Sequence, residues 1–387
     1  MKKLFSLMLT TISLLVLASC DNLEVRRVEP ETDSPSEQIL TMIVETDHGP
    51  IEQIINLENY EAATVFDLLI TYFDVEYMMF DFGPMLLSIE SLTPTHGAFI
   101  SIVHNGEPAM LGAQDLVYEA GDEIVFELAW WDTTMQAVRE TIQAVHDAGL
   151  DDYFLNQPNL YVGAALYHLG YETMLTDLLD SPVQPETEGA LSQAILVHHL
   201  AGKDTTAWLE ALHDIKTIAW PYATSLSVMA LMTEEEAETE HASYFDGFVS
   251  DLENRDLETL DPDTLVFMYL ALLTLPEETT ATLTNAVLDM IIDTLHTSSF
   301  GPNAATTAHQ IIALTAAGLD AQDPAYHHDG VGLIEQLLSF HDEAGAFYWN
   351  DDSLEVDKLF STPQALLALV LYEQFMQTLQ PIHPFVN

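Results

Sequence analysis

From residue 133 onward the chain alternates two kinds of apolar pattern. Runs at about 134–147, 171–179, 205–215, 236–253, 278–297 and 329–341 place apolar residues three and four apart, with polar residues between. Runs at about 158–168, 188–200, 220–232, 262–274, 303–317 and 361–375 carry small and apolar residues on nearly every face. A helix apolar all round must be buried all round, whereas an amphipathic one covers it. Six such pairs in strict alternation predict an inner and an outer layer, closing as an α6/α6 toroid. The repeat shows in Ala201-Gly202-Lys203-Asp204 and again in Ala317-Gly318-Leu319-Asp320, where Gly suits a left-handed C-cap.

Upstream the period changes from helix to strand. Short β-favouring runs occur at Ile39–Val44, Ile51–Leu57, Met85–Ile89 and Ile124–Trp130. Ala98–His104 alternates and runs into Asn105-Gly106, a hairpin signal. One helical run, Ala62–Leu69, interrupts the strands. The expected fold is therefore multidomain, α+β then all-α: a small β-grasp-like domain at 39–132 and the toroid at 133–387.

Two further segments precede the β domain. Met1-Lys2-Lys3 followed by the apolar run Leu4–Leu17 has the pattern of a secretory signal and is short for a membrane span. It ends Leu17-Ala18-Ser19-Cys20, which resembles the bacterial lipobox. That resemblance implies cleavage before Cys20, a lipid on its thiol, and an extracytoplasmic chain held to the bacterial cell membrane. Residues 1–20 are thus expected as a lipoprotein signal peptide. Residues 21–38, with Pro30, Pro35 and several acids, read as a flexible tether.

Charge narrows the partners. The chain has 9 Lys and Arg against 62 Asp and Glu, a formal net charge of −53. That imbalance argues strongly against nucleic-acid binding, because phosphates need basic contacts. Cys20 is the single cysteine, so no disulfide is expected once it is lipidated.

Two family resemblances then appear. Thr64–Leu69, Phe82-Gly83, Ser88-Ile89, His104-Asn105-Gly106-Glu107 and Gly121-Asp122-Glu123-Ile124 resemble the DUF4430 domain over about residues 39–132. That domain is similar to the C-terminal β domain of the cobalamin carriers intrinsic factor and transcobalamin; Phe99 stands where the family commonly has Trp. The stretch Asn303–Phe375, with the Gly-aromatic turn Gly345-Ala346-Phe347-Tyr348-Trp349, resembles the prenyltransferase and squalene-cyclase toroids. The carriers share both parts in the opposite order. What this implies is a ligand, a corrinoid or another large cofactor-like molecule, held between β domain and toroid. No cofactor is required, and the expected partners are the membrane, through the lipid, and a small-molecule ligand or a transporter.

Candidate site residues follow. Inner-helix N-termini would share one mouth, where Tyr161, Tyr222, Thr224, Thr306, Thr307, His309, Thr362 and Gln364 lie. Exposed N–H groups there favour a polar or anionic ligand, and rings supply flat apolar contact. Phe82, Phe99, Trp130 and Trp131 are the β-side candidates, the two tryptophans serving either to pack or to line a cleft. Without a free cysteine, prenyltransferase zinc chemistry is rejected. Asp261-Pro262-Asp263-Thr264 approaches a cyclase acid motif but lacks one Asp, and it sits where an N-cap and a first-turn acid are expected. His198 and His199 are neighbours on a helix and face different ways; His327-His328 reads as a solvated loop. No metal site is expected. The alternatives are a surface adhesion or scaffold module, and a toroid enzyme of cyclase or carbohydrate-active type.

Overall fold

A computed structural model describes residues 38–46, 49–60, 63–80, 83–94, 97–147, 159–179, 185–297, 301–342 and 345–386. The expected signal segment with Cys20, the expected tether as far as residue 37, and Phe82 lie outside them.

The N-terminal region is small and β-rich. Its elements are β1 (Ile39–Val44), β2 (Ile51–Asn56), α1 (Val65–Tyr72), β3 (Val75–Phe80), β4 (Gly83–Ile89), β5 (Ala98–His104), β6 (Glu107–Pro108) and β7 (Glu123–Trp130). Five strands form one sheet in the order β2-β1-β7-β5-β6, and β3 pairs with β4 in a second. β1 runs antiparallel to β2 and parallel to β7. Alternation decides which face is buried: Leu40, Met42 and Val44 of β1 and Ile124 and Phe126 of β7 are fully enclosed. Thr64 and Asp67 start α1 with a reciprocal capping box, and Val65, Phe66, Leu68 and Leu69 bury its inner face. β3 was not predicted, for a physical reason. Tyr77, Met78 and Met79 are exposed, so no inward alternation marks the strand, and pairing with β4 is what forms it.

The C-terminal part is mostly helical: α2 (Thr133–Asp147), α3 (Leu160–His168), α4 (Glu172–Leu179), α5 (Glu188–Leu200), α6 (Thr206–Ile215), α7 (Pro221–Leu231), α8 (Ala237–Glu240), α9 (Ala242–Glu253), α10 (Pro262–Leu273), α11 (Glu277–Asp293), α12 (Ala304–Ala316), α13 (Leu333–Leu338) and α14 (Ser361–Thr378). Packing follows the two patterns in the sequence. α3 packs against α5, α5 against α7, α7 against α10, α10 against α12, α12 against α14, and α14 back against α3. These are the helices apolar on all faces: α10, for example, buries every residue from Leu265 to Leu272. The amphipathic helices attach outside them, α6 on α5, α11 on α10, and α13 on α12.

Some boundaries differ from the pattern. The run 236–253 breaks at His241 into α8 and α9. The run 278–297 stops at Asp293, where the Thr294 hydroxyl turns back onto the Met290 and Ile291 carbonyls. The run 329–341 shortens to α13 between glycine-containing turns. One of these glycines is required: Gly345 has φ +79°, and a Cβ there would meet the Val145 backbone nitrogen at 2.8 Å.

By packing, Ser91–Ser101 and the chain from Leu128 belong with the helices; the described residues up to Glu90 and Ile102–Glu127 form the other compact unit.

Candidate functional site

The first turns of the central helices hold a connected polar cluster. Tyr161 is the second residue of α3, Tyr222 of α7 and Asp263 of α10; Thr306 and His309 open α12, and Gln364 opens α14. The amphipathic helices return the chain after each of these, so their N-termini come to one end. There Asp263 Oδ1 lies 2.9 Å from His309 Nδ1, and His309 Nε2 lies 2.7 Å from the Tyr161 hydroxyl. In the neutral tautomer Nδ1–H donates to the carboxylate and Nε2 accepts the phenol proton. Thr306 Oγ1 donates to Asp263 Oδ2 at 3.4 Å. The Tyr161 phenol also engages Tyr222 and Gln364, and Gln193 of α5 engages Tyr222. Gln364 is buried, and its Oε1 accepts no hydrogen bond from the protein.

The electrostatics fix the protonation states. Burial pushes the Tyr161 phenol well above its ordinary value, and Tyr222 and Asp263 push the same way, so the phenol stays protonated and donates. Burial also acts to raise Asp263, but its electrostatic interaction and hydrogen bond with His309 and the Thr306 hydroxyl outweigh it, and the carboxyl is held below its usual range. Its place in the first turn of α10 adds the helix dipole to that balance. Asp263 is therefore a carboxylate, unsuited to protonating an alkene. Its side chain is 36% exposed against 6% for His309, which makes it the accessible edge of the cluster. A polar or anionic ligand is the expectation at these N-termini, and the Asp263 carboxylate itself occupies part of the favourable potential there.

Aromatic rings make the floor. Phe267, one turn below Asp263, meets Tyr222 at 4.6 Å and Tyr161 edge-on at 6.4 Å between centroids. Phe385 stacks on Phe267 at 6.1 Å and 15° and is fully buried. It arrives from the segment after α14, which crosses the opposite ends of the same helices. His383 Nε2 lies 3.1 Å from the Leu270 carbonyl of α10, His168 at the end of α3 meets the Pro384 carbonyl at 3.2 Å, and Ile382 N–H donates to the Thr315 carbonyl of α12. The segment thus supplies further donors to carbonyls at the ends of α10 and α12, and Phe385 fills the space behind the cluster.

The other candidates go elsewhere. Thr307 donates to the Asn303 carbonyl and accepts from Gln336 of α13, on the outer side of α12. Thr362 bridges the Asp357 carbonyl and the Phe347 N–H, holding the Gly-aromatic turn. Thr224 donates to the Thr217 carbonyl. Phe99 and Trp131 stack on each other at 6.0 Å and stay exposed, whereas Trp130 packs against the helical core. Asp261 caps α10, accepting from the Thr264 N–H and hydroxyl. His198 turns back onto the Ala194 carbonyl and the Trp208 ring, and His327 onto the Gln322 carbonyl. His328 is exposed beside Asp329. In the sequence Asp263 reads only as a cyclase acid or first-turn acid, and Phe267, Phe385 and Gln193 do not stand out as site residues. A His one turn from Thr306 on a buried helix was the available signal, since a buried imidazole calls for a polar partner.

In the β region, Asp122 is the hub of a second network. Its carboxylate accepts from Asn105 Nδ2 and the Glu119 N–H and lies 2.7 Å from His104 Nε2, while Asn105 Oδ1 accepts from the Glu123 N–H. Asn105 (φ 52°) and Gly106 (φ 82°) make the hairpin turn. Burial would raise Asp122, but these donors prevail and lower it. The network ties the β5–β6 turn to the start of β7, so these residues are structural.

Residues 62–129 match a family described as "Domain of unknown function (DUF4430)". No curated protein matches the chain. Among the described residues no helix is long and apolar enough to cross a membrane.

Proposed function

We propose that the chain is a lipid-anchored, extracytoplasmic binding protein whose helical part closes as an α6/α6 toroid and takes a small molecule at the Asp263–His309–Tyr161 cluster. Return packing of α14 on α3 supports the closure. The observation that carries the binding role is Gln364: a buried amide oxygen with no protein donor, on a side chain that engages Tyr161, which His309 links in turn to the part-exposed Asp263 carboxylate. An unmet buried acceptor costs about 1–3 kcal/mol, a cost that a ligand N–H or O–H group would remove. Two fixed acceptors over an aromatic floor fit a flat ligand rich in amide or amine donors, and a corrinoid is one such class.

The test is titration of the full-length chain, purified in mild detergent, with cobalamin, followed by absorbance and calorimetry. Expected is saturable binding weakened at least about tenfold in both Asp263→Asn and Gln364→Leu, the scale of one lost charge-assisted or buried hydrogen bond. No spectral shift and no heat would remove the corrinoid class. Equal affinity in the wild type and both variants would remove the site.

A further inference from the structure

A second cluster lies outside the Asp263 network and is independent of the binding role proposed above. His213 sits in the last turn of α6, Glu234 in the turn leaving α7, and His241 at the junction of α8 and α9. His213 Nε2 is 2.9 Å from Glu234 Oε1, and His241 Nε2 is 3.4 Å from the same oxygen. The two imidazoles meet edge-on with centroids 4.5 Å apart, and one ligand atom from each residue lies within 4.8 Å of the other two. We propose that His213, Glu234 and His241 bind a divalent cation of the Zn²⁺ type.

The spacing fits that ion. Tetrahedral ligands at about 2.0–2.1 Å from zinc stand roughly 3.3 Å from one another, so small rotations of these side chains would bring them into place. The donor set discriminates as well. Two imidazoles and one carboxylate suit zinc and its neighbours, whereas Ca²⁺ and Mg²⁺ ask for oxygen throughout.

A separate observation points the same way. His241 is 6% exposed, and its buried Nε2 has no hydrogen-bond partner although the Glu234 carboxylate lies only 3.4 Å away. Buried ring nitrogens are rarely left so, and a cation between Nε2 and Oε1 satisfies both. His213 and Glu234 also line an open groove with Asp204, Glu210, Glu235 and Lys203. Water can reach a fourth position there, and the carboxylates outnumber the one ammonium. The bound ion would tie the end of α6 to the α7–α9 connection at the point where the chain breaks its helix to turn His241 inward.

The experiment uses the full-length chain in detergent, stripped with a chelator and dialysed against Zn²⁺ with millimolar Ca²⁺ and Mg²⁺ present to occupy the general acidic surface. Expected is one tightly held Zn²⁺ per chain, weakened by about tenfold or more in His213→Gln and in Glu234→Gln, together with a melting temperature that rises with Zn²⁺ in the wild type only. Both variants change part-exposed side chains and leave buried His241 alone, and circular dichroism checks that they fold. Absence of stoichiometric Zn²⁺ in the wild type, or the same affinity in all three proteins, overturns the assignment.

Discussion

His383 should make the helical unit sensitive to mild acid. Its ring lies against the end of α10, with Nε2–H donating to the Leu270 carbonyl at 3.1 Å. Burial holds it neutral and lowers its pKa to about 4; the Leu270 bond opposes this in part, and neighbouring His168 adds to it. In the unfolded chain the same ring titrates near the ordinary value of about 6.5. The folded value lies below the unfolded one, so the native state is stabilised above pH 6.5 and loses that stability as pH falls from 6.5 towards 4. The full gap corresponds to about 3 kcal/mol, and about 2 kcal/mol of it is lost by pH 5. Part of the residue meets solvent, which reduces the expected loss at pH 5 to about 1–2 kcal/mol. His168, lowered mainly by burial, contributes in the same direction. Acidification also relieves repulsion among the 62 carboxylates, an opposing effect shared by any variant. The useful quantity is therefore the difference between the wild type and His383→Gln, which keeps an N–H donor and cannot titrate. Urea unfolding at pH 7.5 and pH 5.0 should show that difference moving by about 1–2 kcal/mol in favour of the variant on acidification. A difference that stays constant between the two pH values would refute the assignment of a neutral, largely enclosed His383.

Two further changes test the packing. Phe385→Ala removes a fully enclosed ring stacked on Phe267 and should cost about 3–5 kcal/mol in denaturant unfolding, with Phe385→Leu costing clearly less. Asn105→Ala loses two side-chain hydrogen bonds and places a Cβ residue without local compensation at φ 52°, for about 2 kcal/mol; it should speed hydrogen exchange across β5–β7, and Asn105→Gly should recover part of the loss by relieving the backbone.

Much of the fold was legible because burial leaves a local trace. Leu265–Leu272 are apolar on every side, and they are buried on every side. Asn105-Gly106 needs a left-handed backbone, and the chain turns there. β3 was invisible because its exposed Tyr77, Met78 and Met79 carry no alternation. Thr307 and Thr362 were placed on the correct helices but on the wrong faces: a helix buried all round offers no polar stripe from which to read direction.

Local pattern was enough for most of the helices and strands, β3 excepted, for which helices lie innermost, and for the strong acidity of the chain. These follow from periodicity and composition, which neighbouring residues carry. Tertiary structure decided that Tyr161 meets a histidine 148 positions away, that Phe385 fills the space behind that pair, and that His213, Glu234 and His241 converge. Such meetings depend on how helices distant in the chain pack and on the rotamers their packing leaves, and no local pattern of residues encodes either.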